Sequence, residues 1–321
     1  MPLALGRVYV DNLPGSFDIK RRAGELAPLV KEGFQEVLNG VPWLTGQSRE
    51  NAIDKLRKAY PNLAYSDNIM SDDYLYKVYS KLRLAKGDSK LVVKLKVLRC
   101  IANFNLAGVG RLVDKTENGN AECANAWYNP YYNSFTIPAA ILQAPFYQVS
   151  FPPAMNWGAI GATLGHEMGH GFDPNIGPVM DAEGNCRPML VDDSVLRHFN
   201  ASRDCMEKRA GVVDPSGGWN IGHPKNSVAQ SFADQLGIRA AHNAFMKSHP
   251  ANAKRMAGPL SNFNDEQLFF LSWGHLWCNI NKIRMHWRAE EPLRQYPAFA
   301  KAFQCREGTY MAPEDRCGVW S

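Results

Sequence analysis

No stretch of the 321 residues approaches the roughly 18 consecutive apolar residues that a membrane-spanning helix needs. Nor does the opening, MPLALGRVYV, read as a signal peptide, because Arg7 interrupts it before an apolar segment can form. There is no internal repeat and no low-complexity linker. The seven cysteines form no C-x-x-C pair, which argues against a zinc knuckle or a thioredoxin-type site. Charge of one sign is also scarce: 36 basic and 31 acidic residues leave +5, too mild a total to imply a nucleic-acid or membrane-surface partner. With 45% hydrophobic and 21% charged residues, the composition is that of a globular chain rather than a disordered one.

What is present is helical periodicity with a change of texture near Gly108. Residues 18–39 place Leu26, Leu29, Val30, Phe34, Val37 and Leu38 on one stripe, which predicts a helix. Further helices are expected over 49–60, 72–84 and 90–104. Residues 1–110 therefore read as a helical segment preceding and packing on a second domain, 111–321. Within the latter, NAWYNPYYNSFTIPAAIL is rich in aromatic and β-branched residues and is broken by Asn129-Pro130, which predicts two short strands or a hairpin. Helical patterns return at 155–171, 190–209, 225–247 and 264–287. The fold class is α+β, mainly α, with one small sheet.

The sharpest motif is His166-Glu167-Met168-Gly169-His170, an H-E-x-x-H inside the predicted 155–171 helix. Four residues turn a helix by about 400°, so the two imidazoles lie about 40° apart and one turn along. They can share one metal ion, whose nitrogen ligands sit about 2.0–2.1 Å away. Glu167 projects beside them, placed to take a proton from a water whose pKa the metal lowers to about 7. Asp173 lies on the same face and either accepts the spare ring N–H of a ligand histidine or simply ends the helix.

With these residues in view, the chain resembles the C-terminal half of the neprilysin and endothelin-converting enzyme family of zinc metallopeptidases. The matching segments are NAWYNPYYN, IPAAILQAPFY, NWGAIGATLGHEMGHGFD, FADQLG, QLFFLSWGHLWC and AFQCREGTYMAPEDRCGVW, with GRVYV, EGFQEVL and KLRKAYPNLAY fitting more loosely. The resemblance implies a thermolysin-like (gluzincin) catalytic domain with a small mixed sheet and one Zn2+ ion. It implies His166 and His170 as ligands and Glu167 as the general base. Asp173 and Asp234 would orient the histidines, Asp234 counting with Glu167 in the catalytic set. Asn125 and Ala126 would lie on an edge strand that pairs with substrate backbone. It further implies a Cys205–Cys317 disulfide, peptide substrates and an extracellular or secreted location. The sequon Asn200-Ala201-Ser202 fits that location.

Three departures stand against the resemblance. The family's third zinc ligand is the Glu of a Glu-Asn-x-Ala-Asp motif, and here the segment reads Gln230-Ser231-Phe232-Ala233-Asp234. Gln230 is either a neutral amide-oxygen ligand, weakening zinc through the missing charge, or an amide with no metal role. The family also carries a His with an Arg six residues later, for oxyanion and substrate binding. In this chain His286 and Arg294 are the nearest candidates, eight apart; losing one such donor costs about 10²–10³ in rate. Lastly, the family's upstream helical lobe and membrane anchor find no counterpart. A chain standing alone would have an open cleft and exposed apolar surface, whereas a fragment would find the partners of Cys278 and Cys305 in a missing lobe or a second chain. Two functions follow: a metalloendopeptidase hydrolysing internal peptide bonds through a Glu-activated, zinc-bound water, or a pseudopeptidase that binds peptides or proteins without turnover.

Overall fold

The helices form where apolar spacing demands them. The structure is a computed structural model describing residues 1–111, 114–116, 119–213, 224–249, 258–278 and 286–321. Helix α1 spans Pro2–Asp11, α2 Ser16–Gly40 and α3 Gly46–Lys58. In α2 the buried face is Ala23, Ala27, Val30, Gly33, Phe34, Val37 and Leu38. Leu29 lies outside it, about 100° round the helix from Val30, and is exposed. Strand β1 (Tyr60–Ala64) follows where the sequence pattern extended helix to residue 60. Then come α4 (Asp67–Met70), α5 (Asp72–Tyr79) and α6 (Lys90–Leu106).

Strands β2 (Trp127–Asn129) and β3 (Ser134–Pro138) make the expected hairpin, pairing antiparallel with Trp127 opposite Thr136. Its turn is fixed by Asn133, at φ 45°, whose buried amide donates to the Lys55 and Ala182 carbonyls. β1 joins the other side of β3 in parallel, Tyr60 opposite Ser134 and Ala64 opposite Pro138, so the sheet is mixed with order β1-β3-β2. β3 is buried along its whole length. β2 is an edge, unpaired on its outer side among the described residues.

From residue 153 to 172 the chain is continuously helical: α7 (Pro153–Asn156), a π-helical turn (Trp157–Gly161), α8 (Ala162–Gly169) and a 3₁₀ turn (His170–Phe172). After α9 (Asp193–Val213) comes α10 (Pro224–Ser248), which packs against both α8 and α2. The α8–α10 crossing is as close as backbones allow. A Cβ on Gly165 would lie 2.8 Å from Gly237 Cα, and a Cβ on Gly237 would lie 2.5 Å from the His166 nitrogen. Only glycine at both positions permits that approach. α11 (Asp265–Leu276) carries a reciprocal capping box between Asn264 and Gln267. The chain finishes with a π-helical turn (His286–Glu290) and short helices Glu291–Arg294 and Pro297–Ala302. One hydrophobic core takes residues from α2, the sheet, α8, α9, α10 and α11.

Cys205 and Cys317 form a disulfide, Cα atoms 5.6 Å apart, closing a separation of 112 residues. In the chain-entropy view a loop of that size stabilises by about 4–5 kcal/mol. It pins α9 to the C-terminal segment, where Trp320 packs against Trp43, Phe199 and Phe232. Cys278, exposed, and Cys305, half-buried, are both free, so neither pairs with the other. Among the described residues no helix is long and apolar enough to cross a membrane.

Candidate active site

α8 and α10 cross at the glycine contact, and each presents one row of polar side chains beside it. From the α8 side come His166, Glu167 and His170, whose potential ligand atoms lie within 4.8 Å of one another. The two rings meet edge to face, centroids 4.6 Å apart. From α10 come Gln230 and Asp234, one turn apart. All five line a cavity of about 700 Å³, together with Asp173, Asn125, Ala126 and Arg288.

Each histidine is held from behind by a carboxylate. Asp173 Oδ2 lies 2.8 Å from His170 Nδ1, while its Oδ1 accepts the N–H groups of Asn175 and Ile176. It thus orients the ring and ends the helix at once. Asp234 Oδ1 lies 2.7 Å from His166 Nδ1, an ion-pair distance. Both contacts engage Nδ1 and leave Nε2 toward the cavity, the arrangement that second partners of metal-binding histidines impose.

The electrostatics follow from burial. Burial lowers the His170 pKa, but the Asp173 hydrogen bond and the charges of Glu167 and Asp173 outweigh it and hold the ring above an ordinary histidine. Asp234 is wholly buried; desolvation pushes its carboxyl up, and the charges of Arg288 and His166 overcome this and keep it below the usual range. Arg288 grips Asp234 with two bonds, Nε to Oδ2 at 2.6 Å and Nη2 to Oδ1 at 2.8 Å, and its guanidinium lies 4.1 Å from the Trp277 ring.

Arg288 is the site residue that the sequence reading missed. Arg294 instead donates to the Tyr310 carbonyl and to Glu291, and is not among the cavity residues. The His286 side chain lies outside the described residues. A spacing rule could not find Arg288, because its carboxylate is 54 positions away. The available signal was physical: a carboxylate as buried as Asp234 requires a cation.

Gln230 does reach the site. Its Nε2 lies 3.1 Å from His170 Nε2, so the carboxamide meets the nitrogen expected to hold the metal. Asp173 accepts the Nδ1–H of His170, so in the neutral ring Nε2 is the acceptor and the amide N–H its donor, whereas the charged ring presents N–H at Nε2 as well.

Close to Gly171 and within electrostatic reach of Asp173 lies Lys55, fully buried, donating to the Met180 carbonyl at 2.8 Å. Burial drives its pKa down to about 8, against the opposing charges of Asp173 and Asp181. Between that value and the unfolded one the unfolded chain binds the extra proton, so stability rises with pH. In urea unfolding, the native chain is expected to gain about 3 kcal/mol relative to Lys55→Met between pH 8 and 10.5. Parallel curves for the two proteins would show that Lys55 is not desolvated.

Do these residues suit a metal? Two imidazole nitrogens converge, and Glu167 Oε2 is buried without a partner in the same cavity. That set fits a divalent ion of the zinc type through two nitrogens, with an uncharged amide where a third, anionic ligand would complete it. The mainly helical fold and this paired-histidine floor define a metallopeptidase-type site.

Comparison with known proteins agrees. The model of peptidase family M13 matches residues 125–319, and the chain belongs to that family. Over 340 residues it is 31% identical to Neprilysin-1 of Trittame loki, covering 99% of this chain and 46% of that protein. It is 30% identical over 342 residues to human membrane metallo-endopeptidase-like 1, covering 100% of this chain and 43% of that protein. The chain therefore spans a little under half the length of these relatives. The inhibitor-bound Mycobacterium tuberculosis zinc metalloprotease Zmp1 superposes with a TM-score of 0.78 at 26% identity, over 98% of this chain and 49% of that one. Zinc is the metal the family implies.

Proposed function

We propose that the chain is the zinc-binding catalytic part of a metalloendopeptidase that cleaves internal bonds of peptides outside the cell, using one zinc ion. The observation that carries this reading is the convergence of His166, Glu167 and His170 in one cavity, with a carboxylate behind each histidine. Zinc would be held by both histidines and, once its carboxamide turns its oxygen inward, by Gln230. When bound, the metal polarises the scissile carbonyl and makes water a stronger acid. Glu167, its Oε2 unpartnered, takes the proton of the attacking water and passes it to the leaving nitrogen. Arg288 uses Nε and Nη2 on Asp234, which leaves Nη1 to face the carbonyl oxygen as negative charge builds there. The open edge of β2, beside Asn125 and Ala126, holds the peptide extended by backbone hydrogen bonds. The disulfide supports an oxidising location.

A second reading has its own support. Gln230 is uncharged and its Nε2 lies 3.1 Å from His170 Nε2, so in the neutral ring its N–H would compete with a metal for that nitrogen, as suits a pseudopeptidase that binds peptides. The two separate on the zinc-to-protein ratio after exhaustive dialysis against metal-free buffer, followed by mass spectrometry of a digested peptide mixture. A ratio near one with internal cleavages supports the peptidase. A folded protein that retains no zinc and cleaves nothing, even with zinc resupplied, rejects it in favour of the binding module.

A further inference from the structure

The mild total charge conceals a strong local one. Between Lys77 and Arg99 the sequence has eight Lys or Arg residues and a single acidic one, Asp88, more net positive charge than the +5 of the entire chain. Of the eight, only Lys96 pairs with a carboxylate among the described residues, reaching Asp88 at 2.6 Å. The other seven are exposed.

Through this segment runs α6, which has two apolar faces. Its inner face is used: Val97 and Cys100 are buried, Cys100 Sγ donates to the Val78 carbonyl, and Phe104 packs edge-on to Tyr74. Its outer face carries Leu91, Leu95, Leu98 and Leu106, spaced as one helical stripe and each more than half exposed. Lys90 and Lys94 border the stripe on one side and Arg99 on the other, at about 100° per residue. α6 has no acidic residue.

We propose that this face of α6 docks on an anionic lipid surface. A leucine stripe flanked by cations sinks to the boundary between headgroups and acyl chains, while lysine stems lie along it and place their ammonium groups among the phosphates. Lysine supplies six of the eight cations, and protein–protein interfaces are depleted in lysine, so the composition favours lipid over a protein partner. The leucines argue equally against nucleic acid, whose interfaces are polar. Docking needs no spanning segment, and it is independent of whether the zinc site turns over.

The test is co-sedimentation of the full chain with vesicles of phosphatidylcholine alone and of phosphatidylcholine with phosphatidylserine, at low and high salt. Binding is expected only with phosphatidylserine present and should weaken as salt rises. Lys94→Gln with Arg99→Gln should lower it about 25-fold, at about fivefold for each charge removed. Leu95→Gln with Leu98→Gln should also weaken it, and at high salt as well as low. All four residues are exposed, and circular dichroism checks that the fold is kept. Equal binding to both vesicle types, binding to neither, or indifference to the charge substitutions overturns the proposal; binding to neither leaves the stripe to a protein partner.

Discussion

Gln230→Glu is expected to raise the zinc affinity of the folded chain by at least about tenfold, near 1.4 kcal/mol. Two effects add. A carboxylate contributes charge attraction that an amide oxygen lacks, and the N–H that meets His170 Nε2 at 3.1 Å disappears. Competition with a chelator of known affinity measures the change. The substitution should also destabilise the metal-free protein, because it places a new charge beside Glu167 and the wholly buried Asp234. Zinc should then restore more stability to the variant than to the native chain. If affinity does not move, Gln230 does not face the ion.

Glu167→Gln tests the opposite end of the site. As general base, Glu167 should account for about 10²–10⁴ in hydrolysis rate. The isosteric amide should abolish most of that while leaving zinc affinity within about threefold, since an outlying base is not a ligand. Glu167 nonetheless stands close enough to His166 and His170 to be counted with them as a possible ligand. A tenfold fall in zinc affinity in this variant would therefore mean that Glu167 has replaced the missing third ligand, and hydrolysis would then lack its base.

These two residues mark where the sequence was readable and where it was not. The His166–His170 helix was legible because helical spacing alone brings i and i+4 together, and the 153–172 run confirms it as a local property. The Asn129-Pro130 break announced the hairpin for the same reason. β1 was not legible: Tyr60–Ala64 contains Pro61 and becomes a strand only because β3, more than seventy residues away, offers it an edge. Arg288 was hidden likewise, its role defined by a carboxylate on another helix. Gln230 was a different case, since its position was predictable but the direction of its amide depends on which His170 nitrogen Asp173 occupies.

The contact between Gly165 and Gly237 has one more consequence. The histidines and their α10 partners sit on separate rods, and the gap between the rods is one backbone's thickness. That gap is a dimension of the main chain, independent of which polar groups project across it. A single methyl at either glycine would wedge the rods and scatter an intact set of ligands, a fault invisible to anyone checking only the histidines. The converse also holds: while both glycines stand, the frame keeps its width even where a ligand has changed its chemistry, as at position 230. Architecture and reactivity thus rest on different residues, the frame on the two glycines and the chemistry on the side chains that project from it.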